Sequence, residues 1–218
     1  YGGLVSFGHG AFLGTGAYVA RALIHHAGAR TPLLTWPVVI DGSYDALIAL
    51  PAAALVAGAL AFLIGAVSLR TRGVHFIMIT LAFAQMVYFL VLAIPEYGGT
   101  DGLMLPARHR LFDLSLDGDQ PLYWVALALL VGFLLVAQRT MEARFGLALR
   151  GARQNERRMR ALGYPVFRIR LLAFTVSGAA AGLAGAVLAN QAGFVSPDLL
   201  SWQRSGELII MVILGGQG

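Results

Sequence analysis

"RFGLALRGARQNERRMRALGYPVFRIR", residues 144–170, gathers eight arginines and one glutamate in a chain of 218 residues that is 58% hydrophobic. Directly after it, residues 171–190 carry no charge at all. The boundary between the two decides the fold class. A soluble domain carries roughly 25% charged residues, whereas this chain carries 12% with a mean hydropathy of +0.73. Several apolar runs approach the ~20 residues that a helix needs to cross a bilayer. The sequence therefore predicts an all-α, polytopic bundle of transmembrane helices.

Working outward from residue 144, charges and helix breakers delimit the apolar runs. They predict spans at 9–26, 46–69, 74–94, 122–138 and 171–190, with a last one at 205–218. The first and last are short enough to be re-entrant or incomplete. The chain opens on Tyr1 and ends within an apolar pattern, so it reads as a fragment of one membrane-spanning domain over 1–218, cut at both ends. Residues 139–170 hold nine arginines against two glutamates, and residues 95–121 hold five acids against two arginines. Short loops rich in Arg stay on the cytoplasmic side, so 139–170 is expected inside and 95–121 outside. "LRTRG" at 69–73 then falls inside, as alternation requires.

Within the arginine-rich loop lies a short punctuated helix. Asn155 suits the N-cap, and Glu156 sets a negative charge at the positive end of the helix dipole. Gly163 suits the position after the C-cap, and Pro165 blocks continuation. Met159 and Leu162 are expected to share a face. Two turns are too short to be stable alone in water, so this helix is expected to dock, either on the protein's own cytoplasmic helix ends or on a partner.

The apolar spans carry small residues at helical spacing: Gly178, Gly182 and Gly185 in one, Gly10 and Gly14 in another. Such stripes let helix backbones approach closely. Thr80 and Gln85 are polar residues within a span and candidates to line a path; Gln85 is alternatively placed to bond a neighbouring helix. No Asp, Glu or Arg is expected in the middle of a span, which argues against an ion-driven carrier.

Composition also excludes chemistry. All 16 basic residues are arginine and there is no cysteine. Without lysine there is no P-loop or Schiff base, and without cysteine no thiol catalysis or disulfide. No catalytic residue, cofactor or metal site is assigned. An intramembrane enzyme or a passive scaffold is the remaining alternative from another class.

Five stretches together resemble a known family. They are "GLVSFGHGAFLGTGAYVA" (3–20), "LRTRGVHFIMITLAFAQMV" (69–87), "GGTDGL" (98–103), residues 144–189, and "GFVSPDLLSWQRSGELIIMVILGGQG" (193–218). They are similar to the permease subunits of branched-chain amino-acid ABC importers, of the LivH/LivM type and nearer LivM. Permeases for urea, short-chain amides or sugars share that architecture. The resemblance implies that the short cytoplasmic helix is a coupling helix seated on an ATPase. Asn155, Glu156, Ala161, Leu162 and Gly163 match its pattern, and Met159 replaces the usual alanine. It also implies a second permease subunit, two ATP-binding subunits and an extracytoplasmic substrate-binding protein, in the bacterial or archaeal cytoplasmic membrane. Membrane lipids are the remaining partner, and nucleic acid is not among them.

Overall fold

The computed structural model describes residues 5–29, 32–34, 40–95, 98–99, 101–104, 109–111, 114–115 and 119–215. These form eight α-helices: α1 (His9–Ala29), α2 (Ala46–Ser68), α3 (Val74–Leu92), α4 (Asp119–Glu142), α5 (Arg144–Gln154), α6 (Glu156–Ala161), α7 (Val166–Ala192) and α8 (Trp202–Gly215). Among the described residues, four helices are long and apolar enough to cross a membrane, within α2, α3, α4 and α7. The chain is an integral membrane protein with an all-α fold. Of the expected last span, residues 216–218 lie outside the described residues.

Two helices overrun at both ends the apolar runs that announced them, whereas α2 and α3 stop one or two residues short. α7 begins at Val166 rather than 171, because the backbone after Pro165 continues as helix through Arg168 and Arg170. α4 likewise covers 119–142 rather than 122–138. Hydropathy marks the apolar part of a helix, while backbone hydrogen bonding carries it past the edge.

α7 is the central element, with α1 alongside it in the same direction and α2 antiparallel. Small residues set this arrangement. A Cβ on Gly178 would collide with the Ala61 methyl, and one on Gly182 with the Ala57 methyl and, at 2.8 Å, the Ala53 carbonyl oxygen. On the other side, Gly185 abuts the Leu13 carbonyl and Gly16 abuts the Gly182 backbone. The stripe of Gly178, Gly182 and Gly185 thus receives two helices, one on each flank. Gly16 is a packing glycine that the Gly10/Gly14 pattern did not reveal. Toward the arginine-rich end, beside Gly178 and Gly65, Phe12, Phe76 and Phe174 meet edge to face, with ring centroids 5.6 Å apart for Phe12–Phe174 and 6.0 Å for Phe76–Phe174.

Gly10 and Gly14 serve a different contact. They face a segment that re-enters the bundle after α7. Gly193, at φ +65°, ends α7 in the left-handed cap. Phe194 and Val195 then pair with Met104 and Leu103, and a 3-10 turn at Pro197–Leu200 leads into α8. A Cβ on Gly14 would lie 2.5 Å from Leu200 Cγ, and one on Gly10 2.8 Å from Ser205 Oγ. Gly16 is level with Gly182 and Ala57 at the centres of α7 and α2. Residues 200–205 therefore sit near mid-depth, and α8 starts inside the bundle.

α1 starts at a similar depth. Its first residue, His9, bonds Ser177 Oγ at 2.9 Å, halfway along α7. The non-helical backbone before it is satisfied locally. Phe7 N–H donates to Thr80 Oγ1 (3.3 Å), Gly8 N–H to Ser6 Oγ (3.1 Å) and Gly10 N–H to Ser205 Oγ (2.9 Å), while Ser205 Oγ donates to the Phe7 carbonyl (2.6 Å). Irregular backbone is tolerated at membrane depth where protein groups replace water in this way.

Candidate functional sites: the capped helix and a mid-depth cavity

At the arginine-rich end, α5 and α6 lie beside the start of α7. Asn155 caps α6 as expected: its Oδ1 accepts from Arg158 N–H at 3.0 Å. At the other end Gly163 N–H donates to the Arg160 carbonyl (2.9 Å) and Tyr164 N–H to the Met159 carbonyl (3.1 Å). Those two bonds, with Gly163 at φ +82°, form a Schellman motif.

Glu156 has a second role that its place in the helix did not reveal. Its carboxylate is largely buried and gathers three guanidinium groups. Arg72 Nη2 lies 2.9 Å from Oε1, Arg160 Nη2 2.5 Å from Oε1, and Arg170 Nη1 2.9 Å from Oε2. Arg170 also donates to the Ala152 carbonyl at 3.1 Å. One side chain thereby ties α6 to the loop before α3 and to α5 and α7. Charge-assisted contacts of this kind are shorter and stronger than neutral ones.

Met159 and Leu162 do not share a face. Met159 packs inward beside Gly151, against the cluster of Ala148, Leu149 and Ile169. Leu162, as the C-cap residue, is 64% exposed, next to Tyr164 at 48%. The turn that ends α6 swings the position out of the helical register on which the expectation rested. Of the six residues assigned to the coupling element, Asn155, Ala161, Leu162 and Gly163 are exposed, while Glu156 and Met159 face the protein.

The second site is a cavity of about 420 Å³ between α3, the 3-10 turn and α8. Gln85 and Tyr88 line it from α3, and Asp198, Trp202, Arg204 and Glu207 from the re-entrant segment. Thr80 is not part of it: it is fully buried, and its hydroxyl donates to the Ile77 carbonyl at 2.9 Å while accepting from Phe7. The charged wall corrects the expectation of uncharged mid-span residues. Arg204 and Glu207 stand at mid-depth because α8 begins there. Arg21 in α1 is 94% buried, with Nε and Nη1 unpartnered among the described residues, but it lies twelve residues beyond His9, toward the end of the bundle away from the arginine-rich loop.

On the side opposite the arginine-rich end, His109 is fully buried on Asn190. Its Nδ1 lies 2.9 Å from Asn190 Oδ1, and its backbone N–H donates to the same oxygen at 3.1 Å. The Asn190 amide group donates to the Ala186 carbonyl at 2.8 Å. Nδ1 therefore carries the proton. Burial lowers the His109 pKa from 6.5, and the bond to Asn190 offsets this only in part.

The glycines of "GGTDGL" and the stretch "GFVSPDLL", far apart in sequence, meet here. Gly102, at φ +73°, leaves no room for a Cβ beside the Val195 carbonyl, 2.6 Å away. The contact pins the segment that carries Asp198.

Comparison with known proteins places these features in one family. The LivM permease of the high-affinity branched-chain amino acid transport system of Salmonella typhimurium is 33% identical over 99% of this chain and 53% of its own length. LivM of Escherichia coli is 34% identical over the same shares. The autoinducer 2 import permease LsrC of Klebsiella pneumoniae is 37% identical over 49% of this chain and 30% of its own. No solved structure matches. The chain thus spans about half the length of the LivM relatives, whose names carry branched-chain amino acids rather than the urea, amide or sugar of the alternative. Residues 1–218 match throughout the family described as the branched-chain amino acid transport system permease component, and the chain belongs to that family.

Proposed function

We propose that the protein is a permease subunit of an ATP-driven importer in the cytoplasmic membrane, forming part of the path for branched-chain amino acids. The observation that carries this reading is the similarity to the LivM proteins over 99% of the chain. The capped α6 is the coupling element, and its exposed tip at Ala161, Leu162, Gly163 and Tyr164 meets the ATPase. Glu156 and Met159 act from behind, holding that tip on α5 and α7. The working assembly comprises a second permease subunit, two ATP-binding subunits and an extracytoplasmic binding protein.

Uptake of labelled leucine into proteoliposomes of the complete transporter tests the reading. Replacing Leu162 by Asp removes the apolar tip, and it is expected to abolish ATP-dependent uptake while the protein still reaches the membrane. Normal uptake, with normal coupling to hydrolysis, would remove α6 from this role. The arginine-rich end is assigned to the cytoplasm. Single cysteines at positions 115 and 153, in a stretch with no cysteine of its own over residues 1–218, should react with an impermeant reagent from outside at 115 and not at 153.

A further inference from the structure

We propose that the mid-depth cavity is an amino-acid binding site, with Asp198 receiving the ammonium group and Arg204 the carboxylate. The proposal rests on the permease reading and names the substrate contacts within it.

Depth supplies the first argument. Leu200 lies against Gly14, and Ser205 bonds both Phe7 and Gly10, so Asp198–Glu207 brackets the middle of the bundle. Side chains of Arg204 and Glu207 are nevertheless 49% and 52% exposed. Charges at this depth face water-filled cavities or polar partners, because hydrocarbon solvates them poorly. The wall formed by α3 and α8 therefore borders an aqueous path.

Charge balance supplies the second. Arg204 Nη1 and Glu207 Oε2 lie 2.7 Å apart and neutralise one another. Asp198 has no cationic partner among the described residues; its Oδ2 accepts only the Ser196 hydroxyl, at 3.1 Å. The cavity thus carries one uncompensated negative charge, which an ammonium group matches. Arg204 uses one nitrogen on Glu207 and keeps other donors for a carboxylate, a geometry that guanidinium favours. The rings of Tyr88 and Trp202 line the same cavity and offer apolar surface for the aliphatic side chain, which projects away from the α-carbon that carries both charged groups. The volume, about 420 Å³, falls within the range of small-molecule sites.

The test uses the complete transporter in proteoliposomes. Because the chain has no cysteine, Ser201→Cys places a single thiol on the cavity wall. A water-soluble methanethiosulfonate reagent is expected to label it, and saturating L-leucine is expected to slow labelling at least fivefold. Asp198→Asn removes the charge but keeps the backbone N–H that caps on Ser196, so the turn is retained. It is expected to raise the half-saturating leucine concentration at least tenfold, with Asp198→Glu recovering most of the loss. A cysteine that never reacts, or reacts equally fast with leucine present, overturns the site, as does Asp198→Asn with unchanged half-saturation. The wild-type transporter separates the two failures. Absent leucine uptake counts against the permease reading itself, while normal uptake with indifferent labelling counts against the site alone.

Discussion

α7 and α3 are about equally apolar but are built to opposite ends, α7 packed with α1 and α2 and α3 standing with α8. Along α7, glycine and alanine bring three backbones almost into contact, and the Cβ positions of Gly178, Gly182 and Gly185 are already occupied by neighbours. Along α3 and α8, large side chains such as Met78, Met86, Phe89, Ile210 and Leu214 stand exposed beside a cavity with charged walls. α4 is more open still: 6% of its apolar window is buried, against 33% for α2 and α7. Close helix contact in a membrane comes from small residues and satisfied hydrogen bonds rather than from hydrophobicity, since lipid is as apolar as leucine. Residue size therefore separates a packed interior from a surface reserved for lipid, partner or substrate.

That contrast can be broken most directly at Gly185. Gly185→Leu drives a side chain into the α1 backbone at Leu13, and the cost is expected to reach about 3 kcal/mol or more, at the upper end for overpacked cores. Gly132→Leu, on α4 with open space around it, meets no obstacle and removes a glycine from a helix interior, so it should stabilise by roughly 0.5–1 kcal/mol. Thermal unfolding of the two variants in one detergent measures the difference; equal losses would mean that α4 is as tightly packed as α7. Next in size is Glu156→Gln, which keeps the shape and removes the charge shared by Arg72, Arg160 and Arg170. Hydrogen bonds to charged groups contribute roughly 1.5–3 kcal/mol each where they are shielded, and solvent around Arg72 and Arg160 reduces this to about 1–3 kcal/mol in total. Faster amide hydrogen exchange across 156–164, with exchange along α7 unchanged, is the expected signature.

Gly163→Val forces a β-branched residue to φ +82°, at about 1–2 kcal/mol. It should disturb the tip of α6 without lowering membrane insertion, as read by exchange at Tyr164 and by coupling of hydrolysis to uptake. The smallest effect belongs to His109. Its folded-state pKa is depressed below 6.5 by burial, so the unfolded chain binds the proton more readily. Stability from this group is fully present above pH 6.5 and declines as pH falls through the folded value. Unfolding scans from pH 7.5 to 5 should show that decline, and His109→Gln should flatten it.

The sequence made the helical class and four long spans legible because uninterrupted apolar length is a one-dimensional signal. The capping of α6 was equally legible, since Asn155, Gly163 and Pro165 act within a few residues of one another. What escaped depends on contacts between distant residues. Glu156 looked like a dipole partner, yet Arg72 and Arg170 come from other elements. Arg204 and Glu207 looked like the edge of a last span, because nothing local says that the chain re-enters after Gly193. Gln85 was recognised as polar at mid-span, but its neighbours Asp198 and Trp202 lie more than a hundred residues away.

The knot of hydrogen bonds joining Phe7, Gly10 and Ser205 also sets an order of assembly. The first turn of α1 keeps unsatisfied backbone groups within the apolar layer until the Ser205 hydroxyl arrives, nearly two hundred residues later. At a ribosomal rate of about 5–20 residues per second, that wait is roughly 10–40 s. The backbone at Phe7 and Gly10 is therefore completed only by the beginning of α8, so two elements that look like separate spans in the sequence share one set of hydrogen bonds.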